Sequence, residues 1–276
     1  MEQTISHKLK VSREYKSEDT IVTVGTGTSR TQIGGEHFAL IAGPCTVESH
    51  EMIFAIGKAV QQAGAAILRG GAFKPRTSPY DFQGTGAEGL AWLSEVKHVF
   101  GIPVVSEITA SVHLPLFDDI DILQVGSRNM QNYELLKALG RTDKPVLLKR
   151  GVSASLTDFL LSAEYIVAGG NPNVILCERG IRTFAKETRN TPDIAAIPLL
   201  RSMTHLPVIM DPSHATGLSE LVAPIALAAA AAGALGIMTE VHNDPARALC
   251  DGRQSITPAD FAALAARIFK LRDALK

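Results

Sequence analysis

This chain offers little material for disulfides: three cysteines, an odd number, spread over 276 residues. A disulfide framework needs pairs, so the thiols fit a reducing cytoplasm. Net charge is as scarce. Basic and acidic residues number 27 and 28, leaving −1 at pH 7, which gives no global field to attract nucleic acid or a membrane surface. Long apolar runs are missing too. The longest, LVAPIALAAAAAGALGIM, is Ala-rich and broken by Pro224 and Gly233, whereas a membrane span takes about 20 strongly apolar residues. The N-terminus, MEQTISHKLKVSREYKSEDT, has no apolar core and does not read as a signal peptide. No G-x-G-x-x-G fingerprint is present, which disfavours a doubly wound, dinucleotide-binding sheet. What remains is 46% hydrophobic and 20% charged residues, an ordinary globular composition. The length suits a (β/α)8 barrel of about 250 residues.

A repeating rhythm supports that fold. Residues 1–36 are polar and end in a Gly-rich passage, which predicts an N-terminal arm with a possible hairpin. From residue 37 to 276 apolar strands alternate with helices. Strands are expected at 38–43, 65–70, 103–108, 121–126, 145–151, 174–180, 207–214 and 234–242. Among the helices, one is capped by Ser49, and another, capped by Ser155 with Asp158, ends at Gly169-Gly170. Two more should open at Thr191-Pro192 and Thr257-Pro258. Continuous apolar strands separated by helices mean a parallel sheet covered on its faces, and eight such units mean a closed TIM barrel.

Polar residues collect where the strands end. Cys45 follows the first; Arg69, Lys74 and Arg76 follow the second. Glu107, Arg128, Lys149 with Arg150, Glu178 with Arg179, Asp211 with His214, and Glu240 with His242 follow the others. In a barrel those ends converge on the face where active sites are built. The cations Arg69, Lys74, Arg76, Arg128, Lys149 and Arg179 would repel one another without a ligand, so they imply an anion with several phosphate or carboxylate oxygens. In RGGAFKPRTSPY, Gly70 and Gly71 leave room for that ligand, and Pro75 and Pro79 stiffen the loop. Cys45, His214, Glu240 and Asp251 offer a thiolate, an imidazole and two carboxylates, a mixed donor set for a divalent transition metal. Cys177 and Cys250 read as packing residues, and His113 and His205 as structural.

These motifs carry a family resemblance. AGPCTVES (42–49), RGGAFKPRTSPY (69–80), VVSE (104–107), VGSRNMQN (125–132), LLKRG (147–151), LCERGIRTF (176–184), DPSHATG (211–217) and TEVHNDPARALCDGRQ (239–254) span nearly the whole barrel. The chain resembles 3-deoxy-D-arabino-heptulosonate 7-phosphate (DAHP) synthase, the first enzyme of the shikimate pathway, in its shorter class related to 3-deoxy-octulosonate 8-phosphate synthase. The resemblance implies metal ligands at Cys45, His214, Glu240 and Asp251, with Mn, Fe, Co or Zn as the metal. It implies phosphoenolpyruvate contacts at Arg69, Lys74, Arg128, Lys149 and Arg179, with Glu107 nearby. Erythrose 4-phosphate contacts fall on Lys74, Pro75, Arg76, Thr77 and Ser78, with Asp211. The catalytic set is Lys74, Glu107, Cys45 and His214. It further implies small-molecule substrates, a cytoplasmic homotetramer, and a bare catalytic form without an appended ferredoxin-like or chorismate mutase domain.

Three other readings stay open on sequence grounds. The octulosonate branch carries an Asn-Arg-Ser-Ser version of the loop that reads KPRTS here, and would take arabinose 5-phosphate. A Schiff-base aldolase would use Lys149, which ends a barrel strand. A phosphosugar sensor would need the anion contacts but no metal cluster beside them.

Overall fold

The computed structural model describes residues 8–275; residues 1–7 of the expected arm, and Lys276, lie outside the described residues. Two short strands, β1 (Val22–Val24) and β2 (Thr31–Ile33), pair antiparallel with Val22 opposite Ile33. Eight parallel strands follow: β3 (Ala39–Gly43), β4 (Ile67–Arg69), β5 (Val104–Glu107), β6 (Ile122–Val125), β7 (Val146–Lys149), β8 (Val174–Glu178), β9 (Val208–Met210) and β10 (Gly236–Glu240). They hydrogen-bond in chain order, and β10 closes on β3, with Ile237 beside Leu40 and Glu240 beside Gly43. The expected (β/α)8 barrel is the observed one.

The helices are α1 (His50–Gln62), α2 (Ala87–Phe100), α3 (Tyr133–Leu139), α4 (Leu156–Ala168), α5 (Ala196–Met203), a short α6 (Pro212–Thr216), α7 (Ser219–Ala231) and α8 (Pro258–Ala274). Ser49 caps α1 by accepting from the Met52 N–H, and Ser155–Asp158 and Thr257–Asp260 form full capping boxes on α4 and α8. The crossover between β5 and β6 is a 3₁₀ helix, Ser111–Phe117, with Pro115 inside it. Thr191-Pro192 does not open a helix. Thr191 exchanges both backbone hydrogen bonds with Ile181, so its chain is committed to a bridge, and α5 starts at Ala196 instead. None of the described helices is long and apolar enough to cross a membrane.

Strand period two divides the core into two clusters. Ile41, Ile67, Val105, Ile122, Leu147, Cys177, Ile209 and Met238 share one cluster with Val22, Val24 and Ile33. Their sequence neighbours Leu40, Leu68, Val104, Leu123, Leu148 and Ile237 share the other with Ile53, Leu93, Phe159 and Leu264 of the helices. The first cluster is the barrel interior; the second lies between strands and helices. The hairpin therefore plugs the N-terminal mouth, and a Cβ on its Gly25 would lie 2.9 Å from Pro103, just before β5. With that end sealed by apolar residues, the open end is the C-terminal one.

Candidate active site

The inward parity runs on into the functional residues. Two residues beyond Ile67 is Arg69; beyond Val105, Glu107; beyond Ile122, Gln124; beyond Leu147, Lys149. The same step leads from Cys177 to Arg179, from Ile209 to Asp211 and from Met238 to Glu240. On β3 the corresponding position is Gly43, where a Cβ would sit 2.0 Å from the Arg69 carbonyl oxygen. Only glycine lets β3 and β4 approach this closely, and the next inward position is Cys45. Arg150 and Glu178 have the opposite parity and point outward. They meet there, with Arg150 Nη1 donating to Glu178 Oε2 and Asp193 Oδ2, both at 2.8 Å.

Cys45, His214, Glu240 and Asp251 converge, each offering one ligand atom within 4.8 Å of all the others. Asp211 caps α6 by accepting from the His214 backbone N–H at 2.9 Å, and its Oδ2 accepts from the ring Nδ1 at 2.8 Å. That bond leaves the Nε2 lone pair facing Glu240 Oε1 at 3.4 Å and Asp251 Oδ2 at 3.9 Å. Cys45 Sγ lies 3.2 Å from Asp251 Oδ2. Glu240 Oε1 is buried without a hydrogen-bond partner, although Arg69 Nη2 is 3.2 Å away. A thiol, an imidazole lone pair and two carboxylate oxygens aimed at one point fit a transition metal, whose charge would satisfy the orphaned oxygen. Burial lowers His214 to about 4, against the pull of Asp211 and Glu240, so it is a neutral imidazole as ligation requires. Burial alone would raise Asp211, but His214, Lys149 and Arg69 hold it well below the usual carboxylate range.

Beside this cluster lies a cavity of about 370 Å³. Eight basic side chains line it (Arg69, Lys74, Arg76, Arg128, Lys149, Arg179, Arg182 and Arg189) against three acids, Asp81, Glu107 and Asp251. Nε and Nη1 of both Arg69 and Arg179 are buried without hydrogen-bond partners. Orphaned guanidinium donors on a cavity wall call for an oxyanion. Lys74 Nζ donates to Cys45 Sγ at 2.8 Å and so touches both the cavity and the cluster. Burial works against its charge, but Cys45, Cys250, Glu240 and Glu107 hold its pKa above the usual lysine value. Lys149 Nζ is engaged by Asp211 Oδ2 at 2.5 Å, an ion pair rather than a free amine. Glu107 Oε2 accepts from Gln124 Nε2 at 3.2 Å.

The structure departs from the sequence reading at several positions. Cys250 is not the packing residue its sequence context suggests: its Sγ lies 3.2 Å from Cys45 Sγ and 2.7 Å from Arg76 Nη1, because the loop after β10 folds back over the barrel mouth. Pro75, Arg76 and Thr77 line the cavity, but Ser78 does not; its hydroxyl accepts from the Tyr80 N–H within the loop. Asp211 stands behind Lys149 and His214, fully buried, rather than on the wall. Gln124, Arg182, Arg189 and Asn190 line the cavity and were missed. Period-two counting from Ile122 would have found Gln124, and Arg182 lies inside the LCERGIRTF motif; nothing local singles out Arg189 or Asn190.

A closed parallel barrel that sets a thiol–imidazole–carboxylate cluster, a group that could hold a metal ion, against a cation-lined cavity suited to small polyanions is an enzyme scaffold. The chain belongs to the DAHP synthetase I family, which it matches over residues 16–276. It is 49% identical over 266 residues to a phospho-2-dehydro-3-deoxyheptonate aldolase of Thermotoga maritima, covering 96% of this chain and 78% of that one. The crystal structure of the Thermotoga maritima DAHP synthase superposes with a TM-score of 0.94 at 48% identity, covering 99% of this chain and 79% of that one. A truncated form of the Thermotoga maritima enzyme gives 0.88 at 46% identity and 96% coverage of both chains. More distant is a 2-dehydro-3-deoxyphosphooctonate aldolase of Syntrophobacter fumaroxidans, 35% identical over 81% of this chain and 83% of that one.

Proposed function

We propose that this chain is a DAHP synthase, condensing phosphoenolpyruvate with erythrose 4-phosphate and water to give DAHP and inorganic phosphate, the first step of the shikimate pathway. The observation that carries the reading is the four-donor cluster sharing Lys74 with a cavity walled by unpaired guanidinium donors. The greater identity to the heptulosonate enzyme than to the octulosonate one, 49% against 35%, favours the four-carbon aldose. The ion pair of Lys149 with Asp211 counts against a Schiff base.

Arg69, Arg179, Lys149, Lys74 and Arg128 hold the phosphate and carboxylate of phosphoenolpyruvate. Arg76, with Pro75 and Thr77 beside it on the cavity wall, holds the phosphate of the aldose. Two anions so fixed bring the methylene carbon against the aldehyde carbon, which is the positional part of the rate. Cys45, His214, Glu240 and Asp251 would hold a divalent transition metal (Mn, Fe, Co or Zn), which would supply Lewis-acid chemistry at the aldehyde oxygen. Lys74 gives a proton to that oxygen as the carbon–carbon bond forms. Glu107, oriented by Gln124, takes the proton of the water that adds at the second carbon of phosphoenolpyruvate. Phosphate then leaves by carbon–oxygen cleavage. A cytoplasmic homotetramer completes the proposal on the family resemblance.

The test is phosphoenolpyruvate consumption by chelator-treated protein, with and without restored Mn²⁺, offered erythrose 4-phosphate and arabinose 5-phosphate in parallel. Turnover with erythrose 4-phosphate only, and only with metal, is expected. Preference for arabinose 5-phosphate would move the chain to the octulosonate branch, and metal-independent turnover would refute the role of the cluster.

A further inference from the structure

The motif after β10 ends at Gln254, a residue the reading above leaves unused. Its side chain is buried, at the close of the 3₁₀ turn Gly252–Gln254. Asp251, just before that turn, has φ +52° and ψ +29° and is the one non-glycine with positive φ among the described residues. An L side chain holds that conformation only where its surroundings impose it. Here it turns the chain so that Asp251 and Gln254 face the same site.

The Gln254 amide joins two of the four cluster residues. Its Nε2 donates to Glu240 Oε2 at 2.6 Å, and its Oε1 accepts from Arg189 Nη1 at 2.9 Å. The same Nη1 donates to Asp251 Oδ1 at 3.2 Å. A carboxylate only accepts and a guanidinium only donates, so the partners fix which way the amide points. In both carboxylates these bonds take the oxygen the cluster does not use. Glu240 presents Oε1 to His214, and Asp251 presents Oδ2 to Cys45.

We propose that Gln254 is a positioning residue for the metal centre. By holding Glu240 Oε2 and, through Arg189, Asp251 Oδ1, it makes each carboxylate offer a single oxygen in a fixed direction. The inference rests on the metal reading above. Outer partners of this kind are worth roughly 10–100-fold in metal affinity.

The experiment titrates the chelator-stripped full chain with Co²⁺ against a competing chelator, following the thiolate-to-cobalt charge-transfer band and the ligand-field spectrum. Gln254→Met keeps length and bulk but neither hydrogen bond. Gln254→Asn keeps the amide but cannot reach, and serves if the Met variant does not fold. The expected result is affinity about 10–100-fold weaker, with a shifted ligand-field spectrum, in variants whose metal-free thermal midpoint stays near that of the parent. Parental affinity and spectrum in a folded variant would overturn the proposal while leaving the metal reading intact. Absence of the band in the parent would overturn the metal reading, and this proposal with it.

Discussion

Cys45 concentrates the demands of the site in one atom. Its Sγ contacts Lys74 Nζ, Asp251 Oδ2 and Cys250 Sγ. Burial, Cys250 and Glu240 raise its pKa well above the usual thiol value, against the pull of Lys74. Only a strong positive charge beside it would make the thiolate the stable form. Cys45→Ala is therefore expected to lower metal-dependent turnover by more than the roughly 10–100-fold typical of losing an outer partner. Its circular dichroism should match the parent, since the change is a small one at the barrel mouth. Full turnover in that variant would remove Cys45 from the site. Cys45 was legible because it follows an apolar strand at the same end as the other polar residues. Cys250 was not, because it is 205 positions away in a loop whose path no local pattern sets.

At the scale of elements, the open question in the sequence was facing. Strands buried on both faces read as continuous apolar runs, so alternation does not show which of two adjacent polar residues points inward. Lys149 and Arg150, or Glu178 and Arg179, looked equivalent, yet the first and last face the cavity while the middle two form an ion pair outside the barrel. That pair ties the ends of β7 and β8. Glu178 Oε1 also accepts from the backbone N–H groups of Arg179 and Gly180, at 3.0 and 2.6 Å, and so fixes the chain that carries Arg179. Burial raises the Glu178 pKa even with Arg150 beside it. Arg150→Met would leave this carboxylate buried and unpaired, a loss of about 3–5 kcal/mol measurable by urea unfolding. Adding Glu178→Gln should recover part of it, because the amide oxygen still accepts from the two backbone groups without a charge to bury. A loss under about 1 kcal/mol in the single variant would show that the two backbone N–H groups satisfy Glu178 without Arg150. The missed start of α5 has the same kind of cause: Thr191 has the sequence of a cap, but its pairing with Ile181 is a tertiary contact.

The whole molecule is fastened at its sealed end by the arm. Val11 and Thr20 are buried against the barrel, and His205, on the loop before β9, joins two points of the arm. Its Nε2 donates to the Lys10 carbonyl at 2.7 Å, which leaves Nδ1 to accept from the Thr20 hydroxyl at 2.8 Å. The structural role expected of His205 holds, but its partners are not legible in the sequence, because they lie 185 and 195 positions earlier. Burial lowers the His205 pKa below its ordinary 6.5; the Lys10 carbonyl and Asp19 oppose this, and Lys16 and Arg13 add to it. The unfolded chain therefore takes up a proton at higher pH than the folded one does. The stability that neutral His205 contributes is complete above pH 6.5 and is lost as the pH falls below that value toward the folded-state pKa. Each tenfold difference in proton affinity between the two states is about 1.4 kcal/mol. Denaturant midpoints at pH 7.5 and 5.5 should fall for the parent. They should fall less for His205→Gln, whose amide can donate to Lys10 and accept from Thr20 but does not titrate. Amide protection in residues 10–21, taken relative to the intrinsic exchange rate at each pH, should fall on acidification in the parent alone. Equal pH slopes in the two proteins would place the acid sensitivity elsewhere in the fold. With the arm released, the hairpin plug would lose its anchor, so this pH dependence should appear first at the end of the barrel opposite the active site.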